Sequence, residues 1–267
     1  MRAPLRRLGP AGLFAAALLG VIVGAAPAAA QRDDPLPRFE GPLCPGIVGL
    51  KVEAAEMMVA RIRDHAQDLG VRLADTESCE PNLIVAFIND GQDYLQRLST
   101  ERGDMFESLG VQERRELLAD EGPVRVLAQV RTRSRDGMVV PRRVDLVNPP
   151  QTEMWMAHSR IYTPTRQDIV SALVLVDRGA ISGMTLDQLA DHAVMRAFVT
   201  ERSDLRGVEG GSILDLFGAP EGERPAGLTA SDLALLSTLY EGPANLRASA
   251  RIAGLQHAAR EGEREAE

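Results

Sequence analysis

The sequence predicts one α+β domain, a mixed α/β fold with a twisted sheet, a central helix and a C-terminal helix. Three observations carry this. Short apolar strand-like runs and amphipathic helical runs follow one another without the regular βα period of a doubly wound fold. Two runs, "NLIVAFIN" (82–89) and "DIVSALVLVDR" (168–178), are apolar enough to lie inside a sheet. The chain is 45% apolar but only 4% aromatic, so its core must be largely aliphatic.

The first thirty residues are expected to be a cleaved leader rather than part of the fold. Arg2, Arg6 and Arg7 precede the apolar run "AGLFAAALLGVIVGAA", and "APAAAQ" offers a small-x-small site after Ala30. The run is short for a membrane anchor, and no second run is long enough to span a bilayer. This predicts a periplasmic or secreted protein beginning at Gln31, with no stable membrane insertion after cleavage. Losing three of the 30 basic side chains while keeping all 38 acids moves the formal charge from −8 to −11. Phosphate backbones need a basic surface, so nucleic acid is excluded as the natural partner.

Two cysteines, Cys44 and Cys79, are expected to pair, as cysteines in an exported chain usually do. Neither sits in a metal-binding or catalytic spacing.

Along the chain, 31–42 ("QRDDPLPRFEGP") reads as a polar, proline-punctuated linker, and 43–242 as the domain. "GIVGL" (46–50) is a strand. The helix after it carries Val52, Ala55, Val59, Ile62 and Ala66 on one stripe and stops at Gly70. "VRLAD" and "NLIVAFIN" are strands, and 91–121 is helical. "VRVLAQVRTRS" and "MVVPRRVDLV" bracket Asp136-Gly137, a hairpin signal. "NPPQTEMW" is a loop, "SRIYTPT" and "DIVSALVLVDR" are strands, and 243–267 is a charged, solvated helical tail.

The segment "TLDQLADHAVMRAF" (185–198) is the clearest helix. Thr185 and Gln188 form a capping box. Leu186, Leu189, Ala190, Ala193, Val194, Ala197 and Phe198 make a core stripe, with Gln188, His192 and Met195 on the opposite side. "SILDLF" (212–217) and "LTASDLALLSTLY" (228–240) follow, the latter a helix capped by Thr229.

That order resembles the C-terminal half of zincin-fold proteins. It is most similar to bacterial exported proteins of unknown function with a zincin-like, metzincin-type domain, over about residues 165–242. In active members the central helix carries HExxHxxGxxH: two histidines one turn apart hold zinc, the glutamate is the general base, and a third ligand follows a glycine. In the best register Gln188 falls at the first ligand, Leu189 at the base, His192 at the second ligand, Met195 at the glycine and Phe198 at the third ligand. The resemblance therefore implies the scaffold without its zinc or its base, and no cofactor. His192 is expected to be a helix-surface histidine.

Other chemistry-bearing residues are scattered. His65 is expected to be solvated on an early helix, and His257 lies in the tail. Trp155 and His158 lie close together and, with His192, make a candidate pocket. Asp187, Asp191, Glu201 and Asp204 read as solvated charge. There is no G-x-S-x-G, and "GVEGGS" lacks the lysine of a P-loop. Two functions stay open: a non-catalytic binding or interaction protein for a protein or peptide ligand, and a peptidase-like hydrolase with a non-standard site.

Overall fold

The computed structural model describes residues 33–75, 78–140, 159–199 and 211–254. Its centre is a four-stranded mixed sheet built from β1 (Pro45–Val48), β2 (Leu83–Ile88), β3 (Val124–Ser134) and β4 (Thr165–Asp177). The order is β1-β2-β4-β3; β1, β2 and β4 run parallel, and β3 pairs antiparallel with β4 at the edge. The helices are α1 (Val52–Asp68), α2 (Gly91–Glu101), α3 (Val111–Ala119), α4 (Leu186–Phe198) and α5 (Ala230–Tyr240).

The two apolar runs are continuous because β2 and β4 are covered on both faces. Leu83, Val85 and Phe87 of β2, with Ala172, Val174 and Val176 of β4, face the core shared with α1 and α4. Ala86 and Leu175 face a smaller core with Leu95, Phe106 and Leu127, closed by α2 and α3. A mixed α/β domain is therefore what the sequence folds into.

Cys44 and Cys79 are joined, with their Cα atoms 6.0 Å apart. The bridge ties the entry of β1 to the approach to β2, across α1. Cys79→Ser is expected to cost about 4 kcal/mol in the chain-entropy account of a loop this long. Urea melts of the two proteins check it, and full alkylation of both thiols in folded, unreduced protein would refute the bridge.

Several expected elements differ. "VRLAD" is not a strand: only Leu73 bridges, to Leu43, because the chain leaves the sheet directly afterwards. "SRIYTPT" contributes a single bridge, Tyr162 to Leu246. The hairpin turn forms at Gly137, whose φ of +91° suits glycine, and Val139 bridges Arg133. The rest of that second strand, like the leader, the loop with Trp155 and His158, Glu201, Asp204 and His257, lies outside the described residues.

From residue 33 onward the expected linker is instead part of the fold. Leu36 and Phe39 are buried in the α1/α4 core, and Arg38 bridges to Asp168 alongside β4. The start of the expected solvated tail is docked as well, with Asn245, Ala248 and Arg251 buried. Both segments serve one need: the last carbonyls of a helix have no intrahelical partner. Arg38 donates to the carbonyls of Leu239, Tyr240 and Gly242 at 3.2, 3.0 and 3.0 Å. Arg251 donates to those of Thr238, Glu241 and Pro243 at 2.6, 2.8 and 2.7 Å. Two arginines from opposite ends of the domain thus cap α5. Among the described residues no helix is long and apolar enough to cross a membrane.

Candidate functional site

Helix α4 begins as its sequence requires. The Gln188 N–H donates to Thr185 Oγ1 at 3.2 Å, and the Thr185 N–H donates to Gln188 Oε1 at 2.9 Å. Its expected polar face is a correction: Gln188, Asp191, His192 and Met195 are all buried together with the apolar stripe. The face is covered by the 3-10 segment Ile213–Phe217 and by the chain at Pro225–Leu228.

Each position that the expected zincin register names is occupied as core. Gln188 donates from Nε2 to the Pro225 carbonyl at 2.7 Å, so both ends of its amide are used in holding the helix start. Leu189 and Met195 pack in the core. His192, far from a surface residue, is 4% exposed, with its ring edge-on to Phe217 at 4.9 Å. Burial, then the charge of Arg196, pushes its pKa down to about 3, so the imidazole is neutral at any physiological pH. Phe198 lies between Phe39 and Tyr240, with ring centroids 5.2 and 5.4 Å away. Among the described residues no three His, Cys, Asp or Glu side chains come together in a group that could hold a metal ion.

Beside this helix is a polar cluster that sequence reasoning missed. Asp191 is fully buried, and its carboxylate accepts Arg61 Nε at 2.5 Å and Nη2 at 2.7 Å. It also bonds His65 Nε2 at 2.7 Å and the Leu228 N–H at 2.9 Å. Burial would raise the Asp191 pKa, but the bonds from His65, Arg61 and Leu228 and the His65 charge outweigh it and hold it at about 2. His65 and Asp191 are therefore not the solvated groups expected; Asp187, one turn before Asp191, does stay exposed, 3.9 Å from Arg61. The fit is close: a Cβ on Gly227 would come within 2.6 Å of Asp191 Oδ2. A carboxylate this acidic and this enclosed is a poor proton acceptor, and it acts as a tie between α1, α4 and the approach to α5. The i, i+4 pair Arg61 and His65 was the available signal.

A second tie explains the spacing of the two C-terminal motifs. Asp232 of α5 accepts Ser212 Oγ at 2.5 Å and the Ile213 N–H at 2.8 Å, joining "SILDLF" to "LTASDLALLSTLY".

Among the described residues, a groove runs beside the outer edge of β3, which Val139 bridges at Arg133. The Asp177 N–H donates to the Pro123 carbonyl at 2.9 Å, which fixes the antiparallel phase so that Val124, Val126 and Ala128 turn their N–H and C=O away from β4. The Ala128 carbonyl accepts Ser108 Oγ at 3.2 Å, and the Val124 carbonyl accepts Arg196 Nη2 at 3.4 Å. Among the described residues no strand pairs with this edge from Val124 to Ala128, and Val126 bonds nothing there. The edge runs along a groove of about 900 Å³. One wall is Leu109 and α3; the other is segment 34–37 with Arg196 of α4. His192 does not line it, and Trp155 and His158 lie outside the described residues.

Fold and site together define a mixed α/β domain with a sealed central helix and, among the described residues, a groove along the end strand of its sheet. Compared with family models, curated proteins and solved structures, the chain matches none.

Proposed function

We propose that this is an exported, non-catalytic binding or interaction protein for a protein or peptide ligand, on a degenerate zincin-like scaffold. The order β4, α4, the 3-10 segment Ile213–Phe217 and α5 supports the scaffold reading. The disulfide and the lack of a membrane-crossing helix among the described residues fit a periplasmic or secreted protein. The observation that carries the non-catalytic reading is the packing of α4. The helix that would supply ligands and base is packed shut, with Gln188, Leu189, His192 and Phe198 all buried.

The expected result is that purified mature protein, dialysed and analysed for metals, carries no stoichiometric zinc and cleaves no peptide in a broad peptidase screen. An amide, an isolated buried imidazole and a phenyl ring do not make a zinc site, which needs three protein ligands. One equivalent of zinc that survives dialysis and is lost on His192→Ala would overturn the non-catalytic reading.

A further inference from the structure

We propose that segment 33–40 is an exchangeable arm, and that the site it fills receives the same segment of a second copy of this chain, joining two copies as a dimer. The site begins where β2 runs out. β4 starts at Thr165, but β2 pairs with it only from Ala172 to Asp177. On the side left over, the Arg38 N–H donates to the Gln167 carbonyl at 3.2 Å, and the Arg38 carbonyl accepts the Ile169 N–H at 2.9 Å. These are the bonds of an added parallel strand, the main-chain part of strand-addition recognition.

Side chains supply the rest. Leu36 and Phe39 are buried, and the Phe39 ring lies 5.2 Å from that of Phe198. The Arg38 guanidinium takes three carbonyls at the end of α5, where the helix dipole favours a cation. At the other end of the arm, Asp33 accepts the Ser249 N–H at 2.8 Å and Ser249 Oγ at 2.7 Å. The arm is thus held along its length by non-covalent contacts alone.

Immediately after the arm the chain is fixed to the body of the domain. The Leu43 main chain bonds Arg72 and Ala74, and Cys44 bonds Asn82 and carries the disulfide. Between arm and body lie Gly41, where a Cβ would meet nothing within 4 Å, and the exposed Pro42. A proline biases the residue before it to extended backbone, so Pro42 favours an open tether. Pro35 and Pro37 keep a released arm extended, which lowers the entropy lost when it docks on a second copy. A swapped arm makes the same contacts as a closed one, so exchange costs only tether rearrangement and association.

The test follows the purified mature protein by size-exclusion chromatography with light scattering over a range of concentrations. Monomer and dimer should both appear and interconvert slowly, since the arm must release before it docks again. Deleting Gly41 shortens the tether, so the arm falls short of its own site and still reaches that of a second copy. The dimer should then tighten by about ten-fold or more with an unchanged circular dichroism spectrum. In that background Arg38→Gln should loosen the dimer by about ten-fold, whereas Arg97→Gln, on the exposed side of α2, should not. A peptide of residues 33–41 added in excess should compete for the site and turn dimer into monomer, a reading that does not depend on how well Arg38→Gln folds.

Wild-type protein that stays monomeric at every concentration overturns the proposal. So does a chain that unfolds or remains monomeric when Gly41 is deleted, because its arm is then not exchanged. A dimer that neither Arg38→Gln nor the peptide loosens assigns the contact to another surface and overturns it as well.

Discussion

Asp191→Ala is expected to lower the unfolding free energy by about 3–5 kcal/mol, the range for breaking a buried ion pair by removing one partner. The cause is what remains. Arg61 loses both oxygens of a bidentate contact, His65 loses its partner, and the Leu228 N–H loses its acceptor. Arg61 and His65 both sit on α1, Leu228 precedes α5, and Asp191 is on α4, so one substitution loosens three elements. Asp191→Asn separates charge from shape: it keeps the volume and one acceptor, and should recover part of the loss. Urea denaturation at neutral pH measures both. A loss under 1 kcal/mol for Asp191→Ala would show that the cluster is not a tie.

The same carboxylate sets a pH limit. Its folded pKa, about 2, lies below that of an unfolded aspartate. The folded state therefore binds this proton less readily than the unfolded state. The stabilisation is fully present above pH ~4 and is lost as pH falls from there toward ~2. The wild-type melting temperature should drop steeply across that window, and the Asp191→Asn protein should show a shallower drop.

The helix at 185–198 was legible because its signals are local. A threonine cap, a glutamine three residues on and a dense apolar stripe need no tertiary partner to be recognised. Strands β2 and β4 were legible because burial on both faces writes itself as an unbroken apolar run. The second face of α4 was not legible, for a physical reason. Gln188, Asp191 and His192 are polar, and a periodicity argument sends polar residues to water. What covers them is a 3-10 segment and a stretch of loop, too short and irregular to carry a period. Their polarity is met by partners far away in sequence: Pro225 for Gln188, and Arg61 and His65 for Asp191.

Arg38 and Arg251 make the same point about the ends of the domain. A proline-punctuated acidic stretch and a charged C-terminal run look like a linker and a tail until the carbonyls of α5 are seen to need donors. The place of β3 at the end of the described sheet was hidden differently. It depends on the order in which strands pair, and no composition of β3 itself announces it.

Phe198→Ala is expected to cost about 3–5 kcal/mol, as for other large aromatics removed from a core. Phe198 has no exposed surface and contacts Phe39 from the N-terminal segment and Tyr240 from α5, so it holds both ends of the domain to α4. This is the position at which the proposed zincin-like register puts a third metal ligand, and a loss of that size is what a core aromatic gives. The sharper version is the triple change Gln188→His, Leu189→Glu and Phe198→His, which rewrites the ligand and base positions. Gln188→His removes the bond to the Pro225 carbonyl and half of the capping box. Leu189→Glu places a carboxylate in the core without a partner, and Phe198→His puts a polar ring between two aromatic ones. These penalties together exceed the stability of an ordinary domain. The triple variant should therefore be unfolded or insoluble with or without zinc, read by calorimetry and metal analysis. A folded triple variant that takes up one zinc would show that α4 still lines a usable site, and would remove the main support for a non-catalytic binding protein.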